Sequence, residues 1–342
     1  MAKTMNAIGF TDHLSITDEH SLQDFTEAVP VAKGHDLLVH VSAVSVNPVD
    51  IGVRRGGRGH LSQPRVIGWD AVGEVVAVGG QVQLFNVGDR VYYAGSFKRA
   101  GSDSDYQLVD ERIVGHAPQH LSDAEAAAMP LTTLAAWEAL FEQLPIDPDD
   151  KENNAKHNIL IINGAGGVGS IATQLAHWAG LHVIATAARP ETIDWTLAHG
   201  ADETVNHRED LVKQVRNLGY HYVDYILELN NLDAHWNEMA ELIEPSGWIA
   251  SITENHRPVD LKRLTQKRGH FAWEWMYTKS FFHTADMQTQ HDILERAAKM
   301  FDEGTLKSTL TKQLSPFDAA TLRQAHTLVE SGHMMGKVVV TR

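Results

Sequence analysis

The chain has 342 residues, 43% of them hydrophobic and 21% charged, which is ordinary for a globular protein with room for two domains. Its 44 acidic and 29 basic side chains give a formal net charge of −15, which opposes sequence-independent binding to nucleic acid or anionic lipid, and the lack of cysteine excludes disulfides, thiolate catalysis and cysteine-ligated zinc. The first residues lack the apolar core of a signal peptide, and no later run reaches the roughly 18 apolar residues of a membrane span, so we expect a cytoplasmic protein.

The first third of the chain, residues 1 to 115, is predicted to be all-β. Residues 37–46 have the pattern of a long strand, and residues 73–79 and 88–93 are short strands bounded by glycine. The glycine-containing turn between the two short strands is typical of a tightly folded, barrel-like domain.

The hydrophobic period changes after this region. Residues 122–125, Ser-Asp-Ala-Glu, form a capping box before an alanine-rich helix. Pro130 precedes a second predicted helix over residues 132–144, and residues 145–154 form a polar loop. A second domain is therefore expected to follow this loop.

A glycine-rich turn opens that second domain. Residues 159–162 are an apolar run typical of a buried parallel strand, and Gly164, Gly166 and Gly169 follow at the spacing G-x-G-x-x-G. Residues 168–179 continue as an amphipathic helix, so a bound pyrophosphate would lie at a helix N-terminus. The pattern predicts dinucleotide binding, and a methyltransferase or a purely structural turn is the alternative.

The end of the next strand, residues 183–186, indicates which dinucleotide is bound. An NAD site usually has an acidic residue there that accepts from the ribose 2′-hydroxyl. This chain has Thr186 and Arg189 instead, with no carboxylate before Glu191. A hydroxyl and a guanidinium suit a 2′-phosphate, so NADP(H) is predicted as the cofactor, and a solvated Arg189 is the alternative.

Helices and strands alternate from there to about residue 275, which predicts a parallel, doubly wound sheet. A long helix is predicted over residues 284–303, followed by a helix over residues 322–331 and a strand over residues 337–340. The last strand can rejoin the first domain. The nucleotide domain would then be an insertion in a discontinuous β domain.

This organisation resembles the medium-chain dehydrogenase/reductase superfamily over nearly the whole chain. Residues 46–50 (Val-Asn-Pro-Val-Asp), 68–73 (Gly-Trp-Asp-Ala-Val-Gly) and 205–209 (Val-Asn-His-Arg-Glu) resemble its zinc-independent quinone oxidoreductase branch, which includes proteins labelled zinc-type alcohol dehydrogenase-like. The resemblance implies an α/β fold in which a Rossmann-type doubly wound parallel sheet is inserted into a GroES-like β-barrel catalytic domain. The implied domains are residues 1–130 (catalytic), 131–285 (dinucleotide-binding) and 286–342 (the C-terminal return to the catalytic domain).

The metal ligands of the zinc-dependent relatives are replaced in this chain. Those relatives use a cysteine, a Gly-His-Glu motif and a later cysteine or aspartate, whereas here Asn47 stands at the cysteine position and Trp69 and Asp70 replace His-Glu. Indole cannot ligate zinc and an amide is a poor ligand, so no metal is predicted. Without a Lewis acid, ordinary alcohol oxidation is disfavoured, and the expected acceptors are quinones and α,β-unsaturated carbonyls.

The resemblance also implies roles for individual residues. Asn47 would face the nicotinamide ribose and the substrate with its amide as a donor, or is only a turn residue before Pro48. Thr132 or Thr133 would touch the nicotinamide, or supplies a hydroxyl at a helix start. Trp69 would wall the substrate site, or fills the volume left by the metal and its ligand.

The remaining implied roles concern the cofactor. The backbone of the glycine turn would contact the pyrophosphate, and the 2′-phosphate would be held by side chains after it; the residues are Gly164, Gly166, Gly167, Val168 and Gly169 for the turn, and Thr186, Arg189 and His207 for the phosphate. Lys337 would add a phosphate contact, or is a solvated lysine at a strand edge. Arginines at positions 54, 55 and 58 suggest the weaker hypothesis that the acceptor is anionic.

The sequence therefore predicts an NADPH-dependent, zinc-independent reductase of quinones or enones, and family likeness implies a homodimer. A zinc-type alcohol dehydrogenase is one alternative. A nucleotide-binding redox sensor or structural protein without turnover is another, because the same contacts serve binding alone.

Overall fold

The structure, a computed structural model, describes residues 3–342 and divides into two compact units. The first unit contains the chain up to Leu131 together with Tyr277–Arg342, and the second unit is Thr132–Met276. The chain thus returns to the first unit after Met276, earlier than the predicted boundary after residue 285. Tyr277 belongs to the first unit because its ring packs against Trp69 and Phe97.

The first unit is built on strands, as predicted for residues 1 to 115. Its strands in the segment that ends at Leu131 are β1 (Thr4–Asp12), β2 (Gln23–Ala28), β3 (Asp36–Ser45), β4 (His60–Val66), β5 (Ala71–Val78), β6 (Arg90–Tyr93), β7 (Tyr106–Asp110) and β8 (Val114–His116). Its helices in this part are α1 (Pro48–Arg55) and α2 (Asp123–Ala127), and α3 (Pro130–Glu138) begins at its end. Strand β3 lies at the centre, where it pairs antiparallel with both β5 and β7.

Helix α3 begins and ends differently from the predicted helix over residues 132–144. It starts at Pro130, because proline is well tolerated in the first turn of a helix. After Glu138 the chain continues as a π-helical turn, Ala139–Gln143, which ends where the N–H of Leu144 bonds to the carbonyl of Ala139.

The second unit is a parallel six-stranded sheet covered by helices. Its elements are α4 (Lys151–Asn154), β9 (Asn158–Ile162), α5 (Gly167–Trp178), β10 (His182–Thr186), α6 (Pro190–Ala198), β11 (Glu203–Val205), α7 (Leu211–Asn217), β12 (Val223–Glu228), α8 (Leu232–Leu242), β13 (Ile243–Ser251), α9 (Lys262–Thr265) and β14 (His270–Trp273). The strand order is β11-β10-β9-β12-β13-β14, with every pair parallel, so the predicted doubly wound sheet is confirmed.

The apolar run predicted as a buried strand lies in the middle of this sheet. Ile159, Leu160, Ile161 and Ile162 of β9 are fully buried, and Leu160 and Ile162 join a core with side chains of α7 and α8. A parallel strand covered on both faces needs such a continuous apolar sequence.

The chain then returns to the first unit through α10 (Thr278–Phe282), α11 (Thr289–Asp302), β15 (Leu310–Leu314), α12 (Ala319–Glu330) and β16 (Lys337–Thr341). Strand β16 pairs antiparallel with β3, with Val340 opposite Val44, which confirms that the β domain is discontinuous. The seven-stranded sheet of this unit contains β15, β16, β3, β5, β6, β8 and β7. Over residues 3–342, every helix is too short or too polar to cross a bilayer.

Candidate functional site

The glycine turn of the second unit joins β9 to α5 and is too crowded for side chains. A Cβ at Gly169 would lie 2.0 Å from the carbonyl oxygen of Asn163, and one at Gly164 would lie 2.8 Å from Cβ of Ala185. Gly166 is the N-cap of α5, which runs for 12 residues from Gly167. The backbone N–H groups of the first turn of a helix have no acceptor within the helix, so they face an incoming anion.

The carboxyl end of β10 lies beside this turn. The hydroxyl oxygen of Thr186 accepts a 2.7 Å hydrogen bond from the N–H of Asn163 and lies 3.1 Å from Nδ1 of His207. The structure thus brings together Thr186 and His207, two of the residues predicted for the 2′-phosphate. Burial, followed by the charges of His235 and Arg208, lowers the pKa of His207, so its imidazole is neutral near pH 7.

Arg189, the third predicted phosphate ligand, stands before α6. Its N–H donates to the hydroxyl of Thr192, and its guanidinium pairs with Glu191 at 2.9 Å. The side chains of Arg189 and Glu191 are 31% and 59% exposed, and such a surface pair is easily exchanged for another anion.

His235 was missed by the sequence prediction. Its ring lies 6.3 Å from that of His207, and its Nδ1 lies 3.1 Å from Glu238 on the same helix, α8. The i, i+3 spacing of His235 and Glu238 could have predicted this pair on one helix face. No local sequence pattern could have predicted that His235 lies beside His207.

In the first unit, Asn47, Asp70 and Lys337 form a buried polar cluster. The Lys337 ammonium lies 3.0 Å from Oδ2 of Asp70 and donates to Oδ1 of Asn47. The Asn47 amide donates to Oδ2 of Asp70 at 2.8 Å and to the carbonyl oxygen of Ser45 at 3.3 Å. None of the three side chains is more than 4% exposed.

These contacts correct the roles predicted for two residues. Both N–H bonds of the Asn47 amide are used within the protein, so the amide is not a free donor for a substrate. Lys337 is neither a phosphate ligand nor a solvated strand-edge lysine, because its charge is buried against Asp70. The physical reason is the pairing of β16 with β3, which carries Lys337 to the end of β3 where Asn47 follows.

Asp50 completes the start of α1. Its Oδ2 accepts a 2.6 Å hydrogen bond from the N–H of Asn47, while its Oδ1 has no hydrogen-bond partner within the described chain. Burial raises the pKa of Asp50 to about 7, against the opposing effect of the Asn47 N–H and the Lys337 charge. Asp50 therefore orients the backbone of the Asn-Pro-Val-Asp segment.

Trp69 is packed inside the first unit. Its side chain is 1% exposed, its Nε1 donates to the carbonyl of Ser96 at 3.3 Å, and its ring stacks on Phe97 at 5.2 Å. Tyr277 meets the same indole edge-on at 6.2 Å. Phe97 and Tyr277 were not predicted, because both are distant in sequence from Trp69.

Thr132 and Thr133 lie in the first turns of α3 and are buried. The hydroxyl of Thr133 has no hydrogen-bond partner among residues 3–342. A buried hydroxyl without a partner is unfavourable, and this leaves Thr133 with an unused donor and acceptor.

The hypothesis of an anion-binding arginine cluster is wrong for Arg54, whose side chain is fully buried. The guanidinium of Arg54 is buried and binds Glu330 at 3.0 Å and the carbonyl of Leu14 at 2.5 Å. Arg55 binds the other oxygen of Glu330 at 3.0 Å. Both guanidinium groups therefore share one carboxylate of α12, and the Arg55 side chain stays 63% exposed.

Two family models match the chain: an alcohol dehydrogenase GroES-like domain over residues 33–130 and a zinc-binding dehydrogenase over residues 199–340. A zinc-type alcohol dehydrogenase-like protein of Staphylococcus epidermidis is 40% identical, covering 98% of this chain and 99% of the relative. The NADPH-dependent alkenal/one oxidoreductase of Arabidopsis thaliana is 27% identical, over 91% of this chain and 73% of the relative.

Solved structures of similar proteins indicate the same superfamily as the sequence matches do. The structure of a putative zinc-dependent alcohol dehydrogenase from Rhizobium etli has a TM-score of 0.94 and 44% identity, covering 100% of this chain and 99% of that one. Escherichia coli quinone oxidoreductase complexed with NADPH has a TM-score of 0.81 and 24% identity, covering 98% and 100%. The chain belongs to the medium-chain dehydrogenase/reductase superfamily, in its quinone-oxidoreductase-like branch. It is an oxidoreductase of that type, with the α/β fold that the sequence predicted.

The zinc implied by one family model does not fit the residues of this oxidoreductase. The candidate ligand set consists of an amide, an indole and one carboxylate, and an ammonium group already bonds to the amide and the carboxylate. No group of three or more His, Asp or Glu side chains in residues 3–342 could hold a metal ion. Asp70 is neutralised by Lys337, which removes the charge that would attract a cation.

Proposed function

We propose that this oxidoreductase uses NADPH to reduce a quinone or an α,β-unsaturated carbonyl compound, without a metal ion. The observation that carries the proposal is the end of β10, where Thr186, His207 and Arg189 stand in place of the carboxylate of an NAD site. The NADPH bound to the E. coli protein and the name of the NADPH-dependent Arabidopsis protein support this choice of cofactor.

The residues of the second unit fit such a cofactor. Gly166, Gly167 and Val168 would bind the pyrophosphate through backbone N–H groups at the start of α5. Gly164 and Gly169 let the turn close tightly, since a Cβ at either position would collide with neighbouring atoms. Thr186, His207 and Arg189 would bind the 2′-phosphate with a hydroxyl, an imidazole N–H and a guanidinium. When bound, NADPH supplies the hydride.

The first unit supports the choice of acceptor. The Lys337 ammonium bonds to Asn47 and Asp70, so these side chains are not available to bind a metal ion. Without a Lewis acid to stabilise an alkoxide, the acceptor must itself be electrophilic. Trp69, which precedes Asp70 in the chain, packs with Phe97 and Tyr277 into an aromatic group that would form an apolar wall of the acceptor site. Burial, followed by the negative charges of Asp50 and Asp70, raises the pKa of Tyr277, so its phenol stays protonated.

The first test is steady-state oxidation of NADPH and NADH with a panel of one ordinary ketone, one quinone and one enone. We expect turnover with NADPH and the quinone or enone, and no loss after dialysis against a chelator. Tight NADPH binding without oxidation would instead indicate a sensor, and loss of turnover with the chelator would indicate a zinc enzyme.

The cofactor assignment is tested with Arg189→Ala. Losing a charge-assisted contact to a phosphate should raise KM for NADPH at least about tenfold and leave KM for NADH nearly unchanged. Lys213→Ala, which removes an exposed charge from α7 in the same unit, is the matched control and should change neither value. An equal effect of Arg189→Ala on both cofactors would contradict the assignment.

The homodimer stays a prediction. Strand β14 forms the outer edge of the parallel sheet, and Trp273 on it is 47% exposed, which supports pairing of two such edges. Sedimentation of the purified protein would test it.

A further inference from the structure

The Lys337 ammonium is enclosed by oxygen atoms. Its partners are Oδ2 of Asp70 at 3.0 Å, Oδ1 of Asn47, and the carbonyl oxygen of Val46 at 3.5 Å. An ammonium group has three N–H donors and no acceptor, and here each has an oxygen to bond to. Lys337 is thus fully used within the protein and has no donor left for a ligand.

Asp70 depends on this ammonium. Its carboxylate is fully buried and accepts three hydrogen bonds, from Lys337, from the amide of Asn47 at 2.8 Å, and from the N–H of Leu131 at 2.7 Å. A buried carboxylate without a compensating charge is strongly unfavourable, and Lys337 supplies that charge.

The cluster joins parts of the first unit that are far apart in sequence. Lys337 is the first residue of β16, Val46 and Asn47 precede α1, Asp70 precedes β5, and Leu131 is in the first turn of α3. A cation held by several oxygen atoms stabilises the fold that brings those oxygen atoms together, as a structural metal ion does. Here the cation is part of the chain.

We propose that Lys337 is a built-in cation that replaces a bound metal ion: it neutralises Asp70 and thereby fixes the Asn47 turn and the first turn of α3. Lys337 is a positioning residue, since its ammonium bonds to Val46, Asn47 and Asp70 and has no donor left for a ligand. Removing its side chain should leave an oxygen-lined cavity with an uncompensated carboxylate, which is a binding site for a small primary ammonium ion.

The test is chemical rescue of the full-length Lys337→Ala variant. We expect a lower Tm than the wild type, as for loss of one partner of a buried ion pair. The kcat for NADPH oxidation should fall at least about tenfold, because a small displacement of the Asn47 turn and of the start of α3 would misplace the reacting groups. KM for NADPH should change less than about threefold, because the residues assigned to that cofactor lie in the second unit. Adding n-propylammonium or n-butylammonium should raise kcat several-fold and shift Tm back toward the wild-type value.

Two controls separate charge from volume. Lys337→Met fills the same space without a charge, and it should lose Tm and kcat and not respond to alkylammonium ions. 1-Butanol, a neutral compound of similar size, should not rescue Lys337→Ala. Equal rescue by butanol, or wild-type Tm and kcat in Lys337→Met, would overturn the proposal.

A double variant keeps the test decisive if Lys337→Ala does not fold. Asp70→Asn combined with Lys337→Met removes both charges, so its Tm should exceed that of Lys337→Met alone, and a Tm no higher would overturn the proposal. The kcat measurements rest on the proposed function, whereas the Tm measurements do not. Absence of turnover in the wild type would therefore contradict the proposed function and leave the test by Tm intact.

Discussion

The carboxylate of Asp70 accepts a 2.7 Å hydrogen bond from the backbone N–H of Leu131, so a buried negative charge lies at the first turn of α3. This bond satisfies one of the N–H groups that a helix leaves without an acceptor, and the charge is favourable at a helix N-terminus. Thr132 follows Leu131 directly. The only ammonium that bonds to this carboxylate in residues 3–342 belongs to Lys337, so the start of α3 depends on β16 at the other end of the chain.

The first prediction concerns Asp70→Asn. The substitution keeps the shape of the side chain but leaves the buried Lys337 ammonium without its counter-charge, which should lower the free energy of unfolding by about 3–5 kcal/mol. Urea denaturation would measure the change. Asp123→Asn, which breaks an ion pair with Arg90 whose partners are 45% and 36% exposed, is the control and should cost at most about 1 kcal/mol. Equal costs for the two variants would contradict the inference that the Asp70 pair is structural.

The sequence predicted the second unit well because its signals are local. The spacing of Gly164, Gly166 and Gly169 follows from backbone crowding in one turn, and parallel strands end at the same sheet edge, which brings Thr186 and His207 together. The cluster of the first unit has no local signal. Lys337 reaches Asn47 only because β16 pairs with β3, and a lysine before an apolar strand looks the same whether its ammonium is buried or solvated.

The second prediction is a pH dependence of NADPH binding through His207. Burial lowers the pKa of the free imidazole, whereas an adjacent 2′-phosphate would raise it, so binding should take up a proton. The Kd for NADPH should then increase as pH rises from about 5.5 to about 8, across the ordinary pKa range of histidine, and the Kd for NADH should not follow it. Fluorescence titration would measure both. His207→Gln should abolish the difference in slope, and a slope unchanged in that variant would exclude His207 from the phosphate site.

The third prediction concerns acid stability and His326. This histidine of α12 is fully buried, neither ring nitrogen has a hydrogen-bond partner in the described part of the chain, and burial, followed by the charge of Arg54, lowers its pKa to about 3. The unfolded chain binds a proton at this residue below about pH 6.5, while the folded chain does so only near pH 3. Stability should therefore decrease as pH is lowered from about 6.5 to about 3, by up to roughly 1.4 kcal/mol per pH unit.

His326→Phe should reduce that slope, and urea denaturation at several pH values would show it. His20→Gln, which changes an exposed histidine, should keep the slope of the wild type. Parallel stability curves for the wild type and His326→Phe would mean that another group causes the acid sensitivity.

The last prediction tests the crowding of the glycine turn. A methyl group at Gly169 would lie 2.0 Å from the carbonyl oxygen of Asn163, a backbone atom that cannot move without displacing the start of α5. Gly169→Ala should therefore lower the free energy of unfolding by about 1–3 kcal/mol or more and weaken NADPH binding, because the first-turn N–H groups shift with the helix. Gly80→Ala is the control, since nothing lies within 4 Å of its added Cβ. Calorimetry and NADPH titration of both variants would check the prediction, and a Gly169→Ala protein with wild-type Tm and affinity would show that the turn has room for a side chain.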